Sequence, residues 1–354
     1  MLVVAQPSLA AQSVSVTVNC PRAKLQSAID SAVPGVQTII QVSGTCLELI
    51  EVPAGKSITL SGKGKAELKP PSGKTSLPVV LNKGDLTLEQ MKVTNTAAAT
   101  NVVVSANSSS LLVYGSTITG GNAEVALEIA NASSGRIFNS VVRGGSGEAV
   151  GVYNASTLEI FGRPSVLAHF DPKIGYSSVI SNGSSTMSAV SCGDGSNLSI
   201  KVDGTGKVTV RNTGGTGILA NLCTFRARNF VAAGAIDVLS RGTALSTMLS
   251  DLMLIGVTLA SEADYALSAT EARTVMTGSL IKKSGAGDVR LDGQSSITFN
   301  GWTGPTSIPA AFDAGYQSLT CMDDSRIFAH DGDLQLPDGK TEGDLEEAYP
   351  DCFP

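Results

Sequence analysis

Short alternations of apolar and polar residues run through the chain, and between Ser109 and Gly162 they repeat. Ser110–Gly121 (SLLVYGSTITGG) returns 24 residues later as Ser134–Gly145 (SGRIFNSVVRGG), and a third copy, Thr157–Gly162, begins after a further 23. Ala126–Ser133 matches Ala149–Ser156 at the same spacing of 23. Each period holds at least two short strands parted by Gly, Asn and Ser, and none carries a helical periodicity. A period of this length made only of strands predicts a β-solenoid, with one period per coil.

Stacking converts alignment columns into ladders with about 4.8 Å between rungs. Leu86, Leu111 and Leu158 share one column, and Leu88, Val113, Ile137 and Ile160 share another two residues on. Alternation puts both on one buried face, with Thr87, Leu112, Arg136 and Glu159 outside. The next column reads Glu89, Tyr114, Phe138 and Phe161. A position that accepts Glu lies outward or at a corner. There the aromatics either stack on one another or present a platform to sugar rings or another protein. Tyr114, Phe138 and Phe161, with Arg136 and Glu159 beside them, are the candidate ligand-binding residues.

Residues 1–13 resemble the end of an export signal, with Ser8-Leu-Ala10 in the small-x-small form; an ordinary apolar first strand is the alternative. Residues 14–55 read as a strand, a capping helix and a first coil. Leu25, Ala28, Ile29 and Ala32 make one apolar helical face between Pro21 and Pro34. Such a helix would cover the open end of the stack. Residues 56–300 form the body, about ten coils at roughly 25 residues each. Within it Thr247-Met248 is expected to stack on Thr274-Val275. Residues 301–354 read as a loop-rich acidic cover with one short helix near Gly343–Tyr349.

Leu25–Asp30, Thr38–Gly44 and Lys56–Gly62 resemble the opening of secreted bacterial proteins of the pectin-lyase-like superfamily. That resemblance implies a single-stranded right-handed parallel β-helix and an extracellular or cell-surface location. It implies little about function, since the superfamily spans lyases, hydrolases, epimerases, adhesins and structural proteins.

Composition fits narrow coils: charged residues make up 16% and aromatics 5%, and there are 38 glycines. The net charge of −6 is uneven, because ten Asp or Glu and two Lys or Arg follow position 320. Residues 1–100 carry nine Lys or Arg against six Asp or Glu. Ends of opposite sign would favour head-to-tail self-association. There is no basic cluster with interleaved aromatics for nucleic acid and no stretch long enough to span a membrane. Six cysteines in a chain that reads as exported suggest disulfides between sequence neighbours, Cys20 with Cys46, Cys192 with Cys223 and Cys321 with Cys352. Other connectivities remain open.

No catalytic residue stands out. Polygalacturonase and pectate-lyase motifs are absent. Glu124 and Glu148 would stack at a spacing of 24, but at 23 Glu124 faces Gly147, and both read as solvated charges. His169-Phe-Asp-Pro-Lys173 reads as a structural loop. No cofactor is implied; Asp323-Asp324 and Asp331-Gly-Asp333 could hold calcium but miss the calcium-loop spacing. The Asn-x-Ser sequons at Asn107, Asn131, Asn154, Asn182 and Asn197 read as turn residues. Three functions fit: a non-catalytic structural or surface protein that forms fibres or binds polysaccharide; a lyase or epimerase acting on an acidic glycan; or a carbohydrate-binding or adhesin module.

Overall fold

A computed structural model describes residues 13–72, 77–96, 101–162, 177–184, 186–203, 206–229, 235–282, 284–300, 310–312, 319–329, 334–336 and 342–353. Every strand pairing among them is parallel and joins one coil to the next. Each regular coil contributes three strands, and so three walls. Ser134–Phe138 belongs to the first wall, Val141–Gly145 to the second and Glu148–Val152 to the third. The third wall holds eleven strands, from Ile50–Val52 to Leu319–Cys321, so it is about 48 Å long. Gln37–Leu47, Ser57–Lys69 and Asp85–Thr94 each cross the first and second walls as one strand, which merges those walls into one sheet.

The register follows the columns of the repeat. Leu86 pairs with Leu111, Leu111 with Gly135 and Gly135 with Leu158; beside them run Leu88, Val113, Ile137 and Ile160. All of these leucine, valine and isoleucine side chains are buried. The later coils correct one expectation. Thr247 stacks on Ala269 in the third wall, whereas Thr274 stacks on Leu252 in the first. The apparent repeat at 27 joined two different walls, and the true spacing there is 22. Strands also continue beyond residue 300, since Leu319–Cys321 and Arg326–Ala329 pair onto the preceding coil.

Polar ladders hold the corners. Between the third and first walls, Ser109, Ser133 and Ser156 each donate their backbone N–H to the hydroxyl of the next coil's serine, Ser133, Ser156 and Ser196, at 3.1 Å. Ser295 and Ser325 continue the ladder near the C-terminal end. Just outside it, Asn131 donates to Asn107 and Asn154 to Asn131. Asn131 and Asn154 sit at φ near +57°, a conformation Asn tolerates, so these sequons are corner residues.

A helix packs against the core near each end of the described stack. Leu25–Ser31 is helical and buries Leu25 and Ile29 over the first coil. Its first N–H groups bond to Glu48, at 2.9 Å from Leu25 N and 3.2 Å from Gln26 N, and Lys56 bonds the carbonyls of Ile29 and Asp30. A neighbouring coil thus satisfies both termini of the helix. At the other end Glu342–Ala348 is helical, Leu345 is buried, and Ile327 N–H donates to the carbonyl of Cys352 at 2.6 Å. The disulfides are Cys20–Cys46, Cys192–Cys223 and Cys321–Cys352, and they use all six cysteines.

Candidate functional site

The aromatic column is where the register puts it, with Glu89, Tyr114, Phe138, Phe161 and Lys201 on successive first-wall strands. Tyr114, Phe138 and Phe161 are 1%, 9% and 5% exposed and form a cluster apart from the main core. The rings of Phe138 and Phe161 stack with centroids 4.2 Å apart and planes 2° from parallel. Lys201 Nζ lies 5.6 Å from the centroid of Phe161 and caps the stack. Of the two readings of this column, the geometry is that of stacking.

The charged residues beside it do reach solvent. Glu159 bridges Arg136, at 3.0 Å, and Lys201. Burial alone would push the Glu159 carboxyl up; the bonds to Lys201 and Arg136 outweigh it and hold the group below its ordinary range. The result is a charge-neutralised seam with one remaining positive charge.

A second cluster, in the third wall, is one that sequence reasoning missed. Val125 pairs with Glu148, so Glu124 faces Gly147 and the two glutamates do not stack. Glu148 is not solvated. It is 7% exposed, accepts hydrogen bonds from Ser191 at 2.5 Å and Ser188 at 3.5 Å, and accepts another from the Tyr153 hydroxyl. Tyr153 reaches it by lying over Gly151, where a Cβ would come within 2.4 Å of the ring. Burial pushes the Glu148 carboxyl up, against the pull of its donors, and burial also raises the Tyr153 phenol. A buried carboxyl beside a phenol on an outer wall can hold and pass a proton. The missing signal was the fold-back over Gly151, which no spacing rule encodes.

A third feature lies on the second wall. One outward column runs through Thr94, Thr119, Arg143, Ser181, Arg211, Leu239 and Ala260, with Lys69 before it and Lys282 after it in register. It carries four cations and no acid. Lys69 is paired with Glu67 at 2.9 Å, whereas Arg143, Arg211 and Lys282 are exposed and have no ion pair among the described residues. Beside the column a groove of about 700 Å³ is lined by Arg211, Leu239, Ala260, Ser261, Glu262 and Lys282, among others. Among the described residues no group of His, Cys, Asp and Glu is placed to hold a metal ion, and no helix is long and apolar enough to cross a membrane. His169–Lys173 and Asp331–Asp333 lie outside the described residues.

Superposition on solved structures returns several distant matches. The tailspike protein 2 of an Escherichia coli bacteriophage matches over 88% of this chain at 10% identity and a TM-score of 0.46. The fold is a three-walled parallel β-solenoid. The mannuronan C-5 epimerase A-module of Azotobacter vinelandii matches over 88% of this chain and 90% of its own length, at 10% identity and a TM-score of 0.44. An alginate lyase from a Paenibacillus species matches over 92% of this chain and all of its own, at 12% identity and 0.33. This β-helix spans 43% of the tailspike's length. No family model and no curated protein matches the sequence.

Proposed function

We propose that the protein is an extracellular β-helix that binds anionic polysaccharide along its second wall. The observation that carries this reading is the column of cations without acids. Arg143 and Arg211 stand two coil steps apart, about 10 Å, and Arg211 and Lys282 three steps apart, about 14 Å. Cations spaced two and three coils apart on one rigid wall, with no ion pair among the described residues, suit a chain of repeating negative charge and do not require a deep pocket. Three disulfides support an oxidising, extracellular setting. The test is biolayer interferometry with immobilised polygalacturonate, alginate and neutral dextran at low and high salt. Binding to both polyuronates that weakens with salt, and none to dextran, is expected; equal binding to dextran, or no binding at all, would refute it.

Glu148 and Tyr153 favour a second, catalytic reading, in which the buried carboxyl exchanges protons with a glycan on the third wall. It predicts release of reducing ends or unsaturated products from one of these polymers, abolished by Glu148→Gln.

A further inference from the structure

We infer that the groove between Arg211 and Lys282 is a subsite for a short run of acidic sugars, held by one carboxylate at each end with the sugar faces resting on Leu239 and Ala260. The inference rests on the polysaccharide-binding reading and assigns it a place and a ligand chemistry.

The register sets the spacing. Arg211, Leu239 and Ala260 are stacked outward residues on three consecutive coils, and Lys282 follows on the fourth. Two cations therefore flank a floor made of one Leu and one Ala, and the groove over it holds about 700 Å³. The neighbouring hydroxyls are already committed within the wall. Ser261 donates to the carbonyl of Gly242 at 2.7 Å, and Ser284 donates to the carbonyl of Lys282 at 3.0 Å. Specificity is thus left to the charges and the apolar floor. Arg211 offers a planar fork that matches a carboxylate bidentately, and Lys282 offers a compact point charge. Apolar floors suit the C–H faces of sugar rings, with polar contacts at the edges fixing position. Glu262, exposed on the rim, disfavours further negative charge on its side. The cations are about 14 Å apart, so one sugar acid reaches only one of them, whereas a short oligomer reaches both.

The test is isothermal titration calorimetry of the full chain with galacturonate oligomers of increasing length and a sulfated oligosaccharide of matched charge. Affinity should rise abruptly at the first length that spans both cations. Arg211→Ala and Lys282→Ala should each weaken that oligomer about tenfold, the loss expected for a charge-assisted contact. Ala260→Trp, which fills the floor, should abolish binding while circular dichroism stays native, and Arg226→Ala, at an exposed first-wall position, should leave the short oligomer unaffected. If the variants bind like the parent protein while Arg143→Ala weakens polymer binding, the groove assignment fails and the wall reading survives. Failure of the parent protein to bind either polymer or oligomer sinks both. Equal affinity for the sulfated oligosaccharide overturns the carboxylate assignment.

Discussion

Replacing Phe138 by Ala separates packing from binding in the aromatic column. The ring is 9% exposed, stacks on Phe161 at 4.2 Å and sits between the strands that carry Tyr114 and Phe161. Deleting a buried Phe ring costs about 3–5 kcal/mol, of which the aromatic pair accounts for roughly 0.5–1.5. The cluster lies outside the main core, so water can enter part of the space left behind, and a loss of about 3 kcal/mol is expected. Because coils touch only their neighbours, the loss should be local. Urea unfolding followed by circular dichroism gives the size of the effect, and amide exchange read by mass spectrometry gives its position. Peptides covering Ser110–Tyr114, Ser134–Phe138 and Thr157–Gly162 should lose protection, with the terminal coils unchanged. Polyuronate binding at low denaturant should stay within about twofold of the parent protein, which is within the small effect of a change made away from the contact. A stability loss below about 1 kcal/mol together with abolished binding would refute the packing argument and restore the platform.

Other consequences can be measured separately. Gly145→Ala would set a Cβ 1.7 Å from the carbonyl oxygen of Gly121, which already accepts the N–H of Ser146. Neither backbone can yield, so a loss above about 3 kcal/mol is expected from overpacking and a broken bond. Gly183→Ala, whose nearest contact would be 3.7 Å away, should change stability by less than about 0.5 kcal/mol. The Glu148 carboxyl is raised above its ordinary 4.5, so the folded state holds the proton more tightly and stability falls as pH rises above that value. In melting curves across pH, Glu148→Gln should flatten this decline and be the more stable protein at neutral pH; parallel profiles would contradict it. Glu159 has the opposite sign: held below 4.5 by Lys201 and Arg136, it lends stability above that pH, and the contribution fades as pH falls. Lys201→Met should shift that acid-side fading to higher pH. Removing the Cys321–Cys352 bridge, which spans 31 residues, should cost about 3–4 kcal/mol, visible as faster exchange in Arg326–Ala329 and not in the central coils.

The interior was the most legible part of the sequence. Leu111 and Val113 stand two residues apart, and Ile137 and Ile160 recur at the position of Val113 one and two coils on, so their columns appear in the paired register. Neighbouring cysteines could be paired because adjacent coils bring them together. Legibility ended where turns vary in length. The insertion between Gly162 and Ser177 breaks the period, so the column joining Arg143 through Ser181 to Arg211 could not be assembled by spacing alone. The 27-residue match of Thr247 with Thr274 failed for a related reason: composition is alike on all three walls, and similarity does not name the wall. Glu148 was misread because a glutamate at an outward position is ordinarily solvated. Its burial depends on a tyrosine five residues away folding back over a glycine.

The serine corners carry a consequence for how such a chain can change in length. Ser133 accepts the N–H of Ser109, shares its hydroxyl proton between the carbonyls of Ala130 in its own coil and Ala106 in the preceding one, and offers its own N–H to Ser156 in the next. No rung senses anything beyond its two neighbours. A tandem duplication of one full coil would therefore insert a rung already satisfied on both sides, while a gain or loss of a few strand residues would misalign every ladder at once. Selection on the length of a wall can then act in whole coils, with length varying by steps of one rung and the helices near either end left intact.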